Sequence, residues 1–158
     1  MSGMPLPPFQ RFLDAHRDDV WRYLVAAVGR HDADDCFQET FISAMRAYPR
    51  LRPDSDVRAW VLTIAHRKAL DHHRGRARRA VPLDPLPDVA VEDARSDEEG
   101  LWARVHDLPP KQRAAVLLRF AGDLSHRQVA DALGCTEEAA RRSAHEGVRR
   151  LREEMTAA

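Results

Sequence analysis

Apolar residues at Phe9, Phe12, Leu13, Val20, Leu24, Val25 and Val28 recur at the three-to-four spacing of an amphipathic helix, and Gly29 supplies its stop. A second stripe, Cys36, Phe37, Thr40, Phe41, Ala44 and Met45, predicts another helix. Asp32 is its expected cap, Asp34 and Asp35 lie near its positive end, and Pro49 closes it. The stretch 49–56, with Pro49, Pro53, Asp54 and Ser55, reads as a tight loop that ends on a new cap. In the helix that follows, Val57, Trp60, Val61, Ile64 and Ala65 face inward. From His66 the apolar stripe fades and arginines take over as far as Arg79, so this distal half must face solvent or a partner.

Residues 81–99 carry Pro82, Pro85 and Pro87 and then an acidic cluster, with no helical or strand period, and read as a linker. Periodicity resumes at Leu101, Trp102, Val105 and Leu108, breaks at Pro109 and Pro110, and continues through Val116, Leu117 and Phe120 to Gly122. Ser125 and Gln128 have the spacing of a capping box, followed by inward Val129, Ala130 and Leu133 and a stop at Gly134. Thr136 caps a last helix whose inner stripe is Ala140, Ala144, Val148 and Leu151. The fold class is therefore all-α: two small helical domains, residues 9–80 and 100–154, joined by an acidic, proline-containing linker at 81–99.

At 158 residues and 17.9 kDa, the chain is too short for a large multidomain enzyme. It holds no run of about 18 uncharged apolar residues and no basic-then-apolar start, so no membrane insertion is expected and the cytoplasm is its expected place. Net charge is zero, but it is segregated. Residues 1–80 hold 14 basic against 10 acidic groups, 81–100 hold 1 against 7, and 101–158 hold 10 against 8. Two mildly basic units flank an acidic strip, a layout compatible with nucleic acid at both ends.

Two segments carry candidate chemistry. Ser125 to Arg152 has the layout of a helix-turn-helix, whose second helix turns Glu137, Glu138, Arg141, Arg142 and His145 away from the apolar stripe, toward base edges or phosphates of a major groove. The basic run His66 to Arg79 continues the helix that carries Trp60, beside a loop able to hold an unstacked base. The competing reading makes Trp60 plain core and the arginines a solvated face. Cys36 and Cys135 lack metal spacing and are expected to be buried core thiols, and neither cofactor nor metal is expected. Asp71, His72 and His73 spell the tripeptide of the DHH phosphoesterases. That chemistry needs ligands converging from several elements, whereas adjacent helical residues point about 100° apart.

Nearly the whole chain resembles the extracytoplasmic-function (ECF) sigma factors of bacterial RNA polymerase. DADDCFQETFISAMRAY (Asp32 to Tyr48) is similar to the region-two helix that grips the polymerase clamp. VRAWVLTIAHRKALDHHRGRARR (Val57 to Arg79) is similar to the segment that opens and reads the minus-ten element. LPPKQRAAVLLRFAGDLSHRQVADALGCTEEAARRSAHEGVRRLR (Leu108 to Arg152) resembles region four, which reads the minus-thirty-five element.

The resemblance implies polymerase contacts at Asp34, Asp35, Gln38, Glu39 and Phe41, with a core position as the alternative for Phe41. It implies single-strand contacts at Asp54, Ser55, Asp56, Arg58, Trp60, Arg67, Lys68, Arg74, Arg76 and Arg78. Duplex contacts are implied at Ser125, Arg127, Thr136, Glu137, Glu138, Arg141, Arg142 and His145. Arg67 stands where many relatives carry Asn, and Glu146 and Val148 where they often carry arginine. The implied partners are core RNA polymerase (clamp and flap) and promoter DNA, with an anti-sigma factor as a further partner class and no catalysis by the chain itself. Ala157 and Ala158 resemble the small apolar ends recognised by ClpXP-type proteases. The rival readings are a helix-turn-helix regulator that does not program polymerase and a metal phosphoesterase of the DHH type.

Overall fold

The computed structural model describes residues 5–79 and 97–157, and among them there are seven α-helices and no strand. Helices α1 (Phe9–Val28), α2 (Arg30–Ala47) and α3 (Val57–Arg79) pack pairwise into a first bundle, with a 3₁₀ turn at Tyr48–Arg50 closing α2. Helix α4 (Asp97–Val105) leads into a second bundle of α5 (Pro110–Val116), a π-helical turn (Leu117–Ala121), α6 (His126–Leu133) and α7 (Glu137–Thr156). Most of the expected linker, residues 81–96, lies outside the described residues, and its last three residues, 97–99, begin α4.

The first core is built on Phe12, Val20, Tyr23, Leu24, Val61, Leu62 and Ala65, all essentially buried. Phe9, Phe12, Tyr48 and Trp60 form an aromatic cluster with ring centroids 5.1–6.4 Å apart, distances at which edge and tilted ring contacts add to the burial. The Tyr48 hydroxyl donates to the Pro7 carbonyl and ties down the chain ahead of α1. The second core gathers Val105, Leu108, Leu118, Leu124, Val129, Ala144 and Leu151. Gly147, rather than Val148, is the fully covered residue of that turn of α7. A Cβ there would meet Val116 Cγ2 at 2.7 Å, so α5 and α7 approach at a position where a side chain does not fit.

Several local expectations change. Asp32 does not cap α2: Gly29, with φ of +84°, reverses the chain so tightly that α2 starts at Arg30. Gly29 N–H donates to Val25 O and Gly29 O accepts from Ala33 N–H, so one residue serves both helix ends. Asp32 falls in the first turn and turns its carboxylate toward α3. The helix expected to run to Gly122 widens into a π turn, with Gly122 N–H bonded to Leu117 O. Cys36 is buried as expected, but Cys135 is exposed. It follows the left-handed Gly134 and donates its backbone N–H to Ala130 O, a turn that uses its main chain and leaves the thiol outside.

The two bundles touch. Helix α1 lies against the π turn and α4, and the start of α3 meets α6.

Candidate nucleic-acid and polymerase interfaces

Helix α3 has three kinds of face. Its buried stripe is Val61, Leu62, Ala65, His66 and Ala69. Opposite that stripe, seven-residue spacing sets Trp60, Arg67 and Arg74 along one line, drifting only about 20° per step, and Arg78 continues it one turn further. The three arginines are exposed, and Trp60 stands half-buried at the head of the line, backed by Phe12 and Tyr48. The Trp60 ring thus belongs in part to the core cluster, as the core reading expects, and remains half-buried where the line of arginines begins. Lys68 flanks the rail and is half-buried.

The other expected single-strand residues separate from this rail. Arg76 turns back to Asp32, 3.3 Å away. Arg58 bonds Asp19 at 3.1 Å and reaches carbonyls of the second bundle. In the loop, Asp54 and Asp56 are exposed and Ser55 half-buried, and Asp56 Oδ1 caps α3 by accepting from Ala59 N–H at 3.1 Å. His72 lies 3.3 Å from Asp32 while His73 donates to the Ala27 carbonyl at 2.9 Å, so the tripeptide's two imidazoles serve the packing of the bundle. Among the described residues no group of three potential metal ligands converges.

On α2, Asp35, Gln38 and Glu39 line one open concavity together with Ile42, a large apolar side chain left 45% exposed. Ile42, which the apolar period does not single out, is left exposed beside these acids and joins them as a contact candidate. Asp34 lines the neighbouring cleft with Arg17, Trp21 and Phe37. Phe41 departs from the expected contact set: it is 6% exposed and packs on Phe37 and Phe12, so it shapes α2 from beneath. The Cys36 thiol below this face is pushed up to about 11, by burial first and then by Glu39, Asp32 and Asp35.

In the second bundle the capping box is complete: Gln128 N–H donates to Ser125 Oγ (3.1 Å) and Ser125 N–H to Gln128 Oε1 (2.8 Å). Thr136 Oγ1 caps α7 at Ala139 N–H. Glu137, Glu138, Arg141, Arg142 and His145 are all exposed, with Arg141 bonded to Glu137 at 3.2 Å. Arg141 and His145 line a groove of about 520 Å³ with Arg119, Phe120, His126, Val148, Arg149 and Arg152. Ser125, Arg127, Thr136, Glu137, Glu138 and Arg142 stand outside that lining. Arg119 and Phe120 enter it because the π turn rotates them out of the α5 register, which no apolar period reveals. His126 is held below its ordinary pKa by burial, then by Arg119 and Arg141, which marks the groove as cationic.

A family model for Sigma-70 region 2 matches residues 12–79, and one for Sigma-70, region 4 matches residues 99–151. The ECF RNA polymerase sigma factor SigD of Mycobacterium tuberculosis is 34% identical over 161 residues, covering 92% of this chain and 76% of that protein. SigC of the same species is 33% identical over 132 residues, covering 80% and 71%. The chain belongs to the ECF RNA polymerase sigma factors. Two solved structures share its fold. The sigma factor RpoE of Bartonella quintana, in complex with the anti-sigma factor NepR, aligns with a TM-score of 0.77 at 20% identity, covering 94% of this chain and 96% of that one. CnrH, in complex with the cytosolic domain of CnrY, aligns at 0.69 and 19%, covering 94% and 88%. In this sigma factor no helix among the described residues is long and apolar enough to cross a membrane. Of the terminal pair, Ala157 follows α7 and Ala158 lies outside the described residues.

Proposed function

We propose that this ECF sigma factor docks on core RNA polymerase through the Asp35, Gln38, Glu39 and Ile42 face of α2 and reads promoters with two further surfaces. Residues 9–80 form the unit for polymerase and the minus-ten element, residues 100–154 the unit for the minus-thirty-five element, and 81–99 join them. The loop 49–56 and the α3 rail take the melted non-template strand, with Arg67, Arg74 and Arg78 on phosphates and Trp60 beside the first unstacked base. The observation that carries this reading is the rail: exposed arginines in line with an aromatic edge, opposite a buried stripe.

Unstacking a base step costs about a few kcal/mol, and stacking on an aromatic ring returns about 1–3 kcal/mol per base. Neither unit alone carries enough basic contacts for tight promoter binding. Affinity comes from mounting both on polymerase, where each binding event raises the effective concentration for the next. The cationic groove of α7 reads upstream duplex, with Arg119 and Arg149 added to the contacts expected from sequence. An anti-sigma factor is a further partner, supported by the solved structure of this fold in which the sigma factor RpoE is in complex with the anti-sigma factor NepR.

Reconstituted transcription tests the proposal: purified chain plus core enzyme on genomic templates gives discrete start sites, and core enzyme alone does not. Absence of both co-elution with core enzyme and initiation on every template overturns it.

A further inference from the structure

Apolar spacing assigns Phe120 to the core: it stands four residues after Val116 and three after Leu117, both buried, so a continuous α-helix would lay its ring over theirs. The π turn breaks that register. Gly122 N–H donates to Leu117 O, five residues back, at 3.0 Å, and the additional residue in the turn swings Phe120 outward until 54% of it meets solvent. The turn also requires its glycine, because a Cβ at Gly122 would come 2.7 Å from Leu118 O. A buried phenylalanine is among the larger contributions a single side chain makes to folding, and the backbone here forgoes it. The ring enters a cationic setting instead. Arg119 Cζ lies 5.5 Å from its centroid, within the range of a cation–π contact. The same groove is lined from α7 by Arg141, His145 and Arg149, with Ala144 and Val148 as its apolar part.

Cations around an exposed ring call for a polyanion that also carries an apolar group. Duplex DNA meets both conditions: in its major groove the phosphates flank base edges that are polar except at the 5-methyl group of thymine. We propose that the π turn is a second reading element of this sigma factor, in which Phe120 packs on the 5-methyl group of one thymine in the upstream duplex while Arg119 holds a neighbouring phosphate. The inference rests on the upstream-duplex role proposed above for the groove, and adds to it a base preference that the charged residues of α7 do not supply. Arg141 and His145 offer hydrogen bonds, which suit base edges or phosphates. Phe120 offers none and distinguishes a base by apolar surface alone. A guanidinium stacks by its face and donates by its edge, so Arg119 restrains the ring and keeps donors for a phosphate. Because the ring already lies outside the core, the contact needs no opening of the bundle.

Holoenzyme binding to promoter fragments tests this by removing a single methyl group. In a promoter that the holoenzyme transcribes, each base pair of the upstream element is replaced in turn by a thymine pair and by a deoxyuridine pair, in both strand orientations. At one position the wild-type chain is expected to bind thymine about fourfold more tightly than deoxyuridine, the effect of burying one methyl-sized group. Phe120→Ala is expected to bind the two probes equally there, while keeping its helical circular dichroism, its co-elution with core enzyme and the preferences set by α7. Arg119→Gln is expected to weaken binding to every probe alike and to reduce the salt slope by about one. Equal affinity for thymine and deoxyuridine at every position overturns the inference, as does a scan in which Phe120→Ala shows every methyl preference of the wild type. In both cases transcription by the wild-type holoenzyme leaves the proposed function standing. A chain that initiates on no template overturns that function and the methyl reading with it.

Discussion

His66 titration provides a measure of how the first bundle is held. The ring is 6% exposed, and its Nδ1 lies 3.1 Å from the hydroxyl of the fully buried Tyr23. Burial pushes the Tyr23 hydroxyl above its ordinary pKa, so the phenol stays protonated and shares one hydrogen bond with the neutral ring. Burial first, and then the charge of Arg67, pushes His66 from 6.5 down to about 4. The folded chain therefore needs a neutral ring, whereas the unfolded chain protonates it below 6.5. Between those values the unfolded state binds more protons, so stability is complete above 6.5, declines as pH falls toward 4, and loses nothing further from this group below that. The gap between 6.5 and about 4 is worth about 3 kcal/mol. His66→Gln retains an acceptor for Tyr23 without titrating. Urea unfolding across a pH series is expected to show wild type losing about 3 kcal/mol more than the variant between about pH 7 and 4. His16, His73 and His126, also held low by burial, are common to both chains and cancel in the comparison. Equal pH slopes in the two proteins refute the reasoning.

Gly147→Ala is expected to lower stability by about 1–3 kcal/mol in denaturant titration, because the new Cβ meets Val116 Cγ2 at 2.7 Å; this overcomes the better helix propensity of alanine, about 1 kcal/mol. Arg141→Ala and Arg142→Ala should each weaken minus-thirty-five binding of the assembled holoenzyme, measured by filter retention over a salt series. Arg141, which lines the cationic groove, should lose more, about 1–3 kcal/mol if it reaches a base edge. Asp35→Ala, Gln38→Ala and Ile42→Asp should each reduce co-elution with core enzyme while leaving single-strand binding by the chain unchanged, since all three line a concavity to which none of Trp60, Arg67, Arg74 and Arg78 contributes. Parallel loss of both activities would indicate unfolding of the bundle.

Elements whose period is carried by side chains are legible in the amino-acid sequence itself. The bounds of α1 and α3, the Ser125–Gln128 capping box and the Thr136 cap stand where the pattern predicts them, because caps and stripes are local chemistry. What escapes the pattern depends on the backbone or on distant partners. Gly29 displaces Asp32 as the start of α2 through a positive φ, and the π turn at 117–121 moves Arg119 and Phe120 without changing the apolar spacing around them. Cys135 reads as apolar and is exposed because the turn it occupies is paired through its main chain. The helical period already sorts the candidate DNA residues of α3, since Arg58 and Arg76 each stand nine residues from Arg67, half a turn round the helix. What it does not reveal is their tertiary partners, Asp19 and Asp32, which hold both side chains on the side away from the rail.

That sorting explains why α3 has so weak an apolar stripe. A helix that only packs can devote one broad face to the core and the rest to water. Helix α3 meets α1 and α2 on one side, sends Arg58 to the second bundle at its start, ties Arg76 to α2 near its end, and keeps a cationic line along the opposite side. Each of these demands removes apolar positions, and burial shifts to small residues, Ala65 and Ala69, and to a histidine that must stay neutral. In the proposed function, the same helix then stands between two events that promoter opening requires together: attachment of its bundle to polymerase through α2, to which Arg76 ties it, and capture of the strand at Trp60. Coupling needs no long-range pathway here, because the strand-capture helix is bonded directly to the helix that meets polymerase, through Arg76 and Asp32.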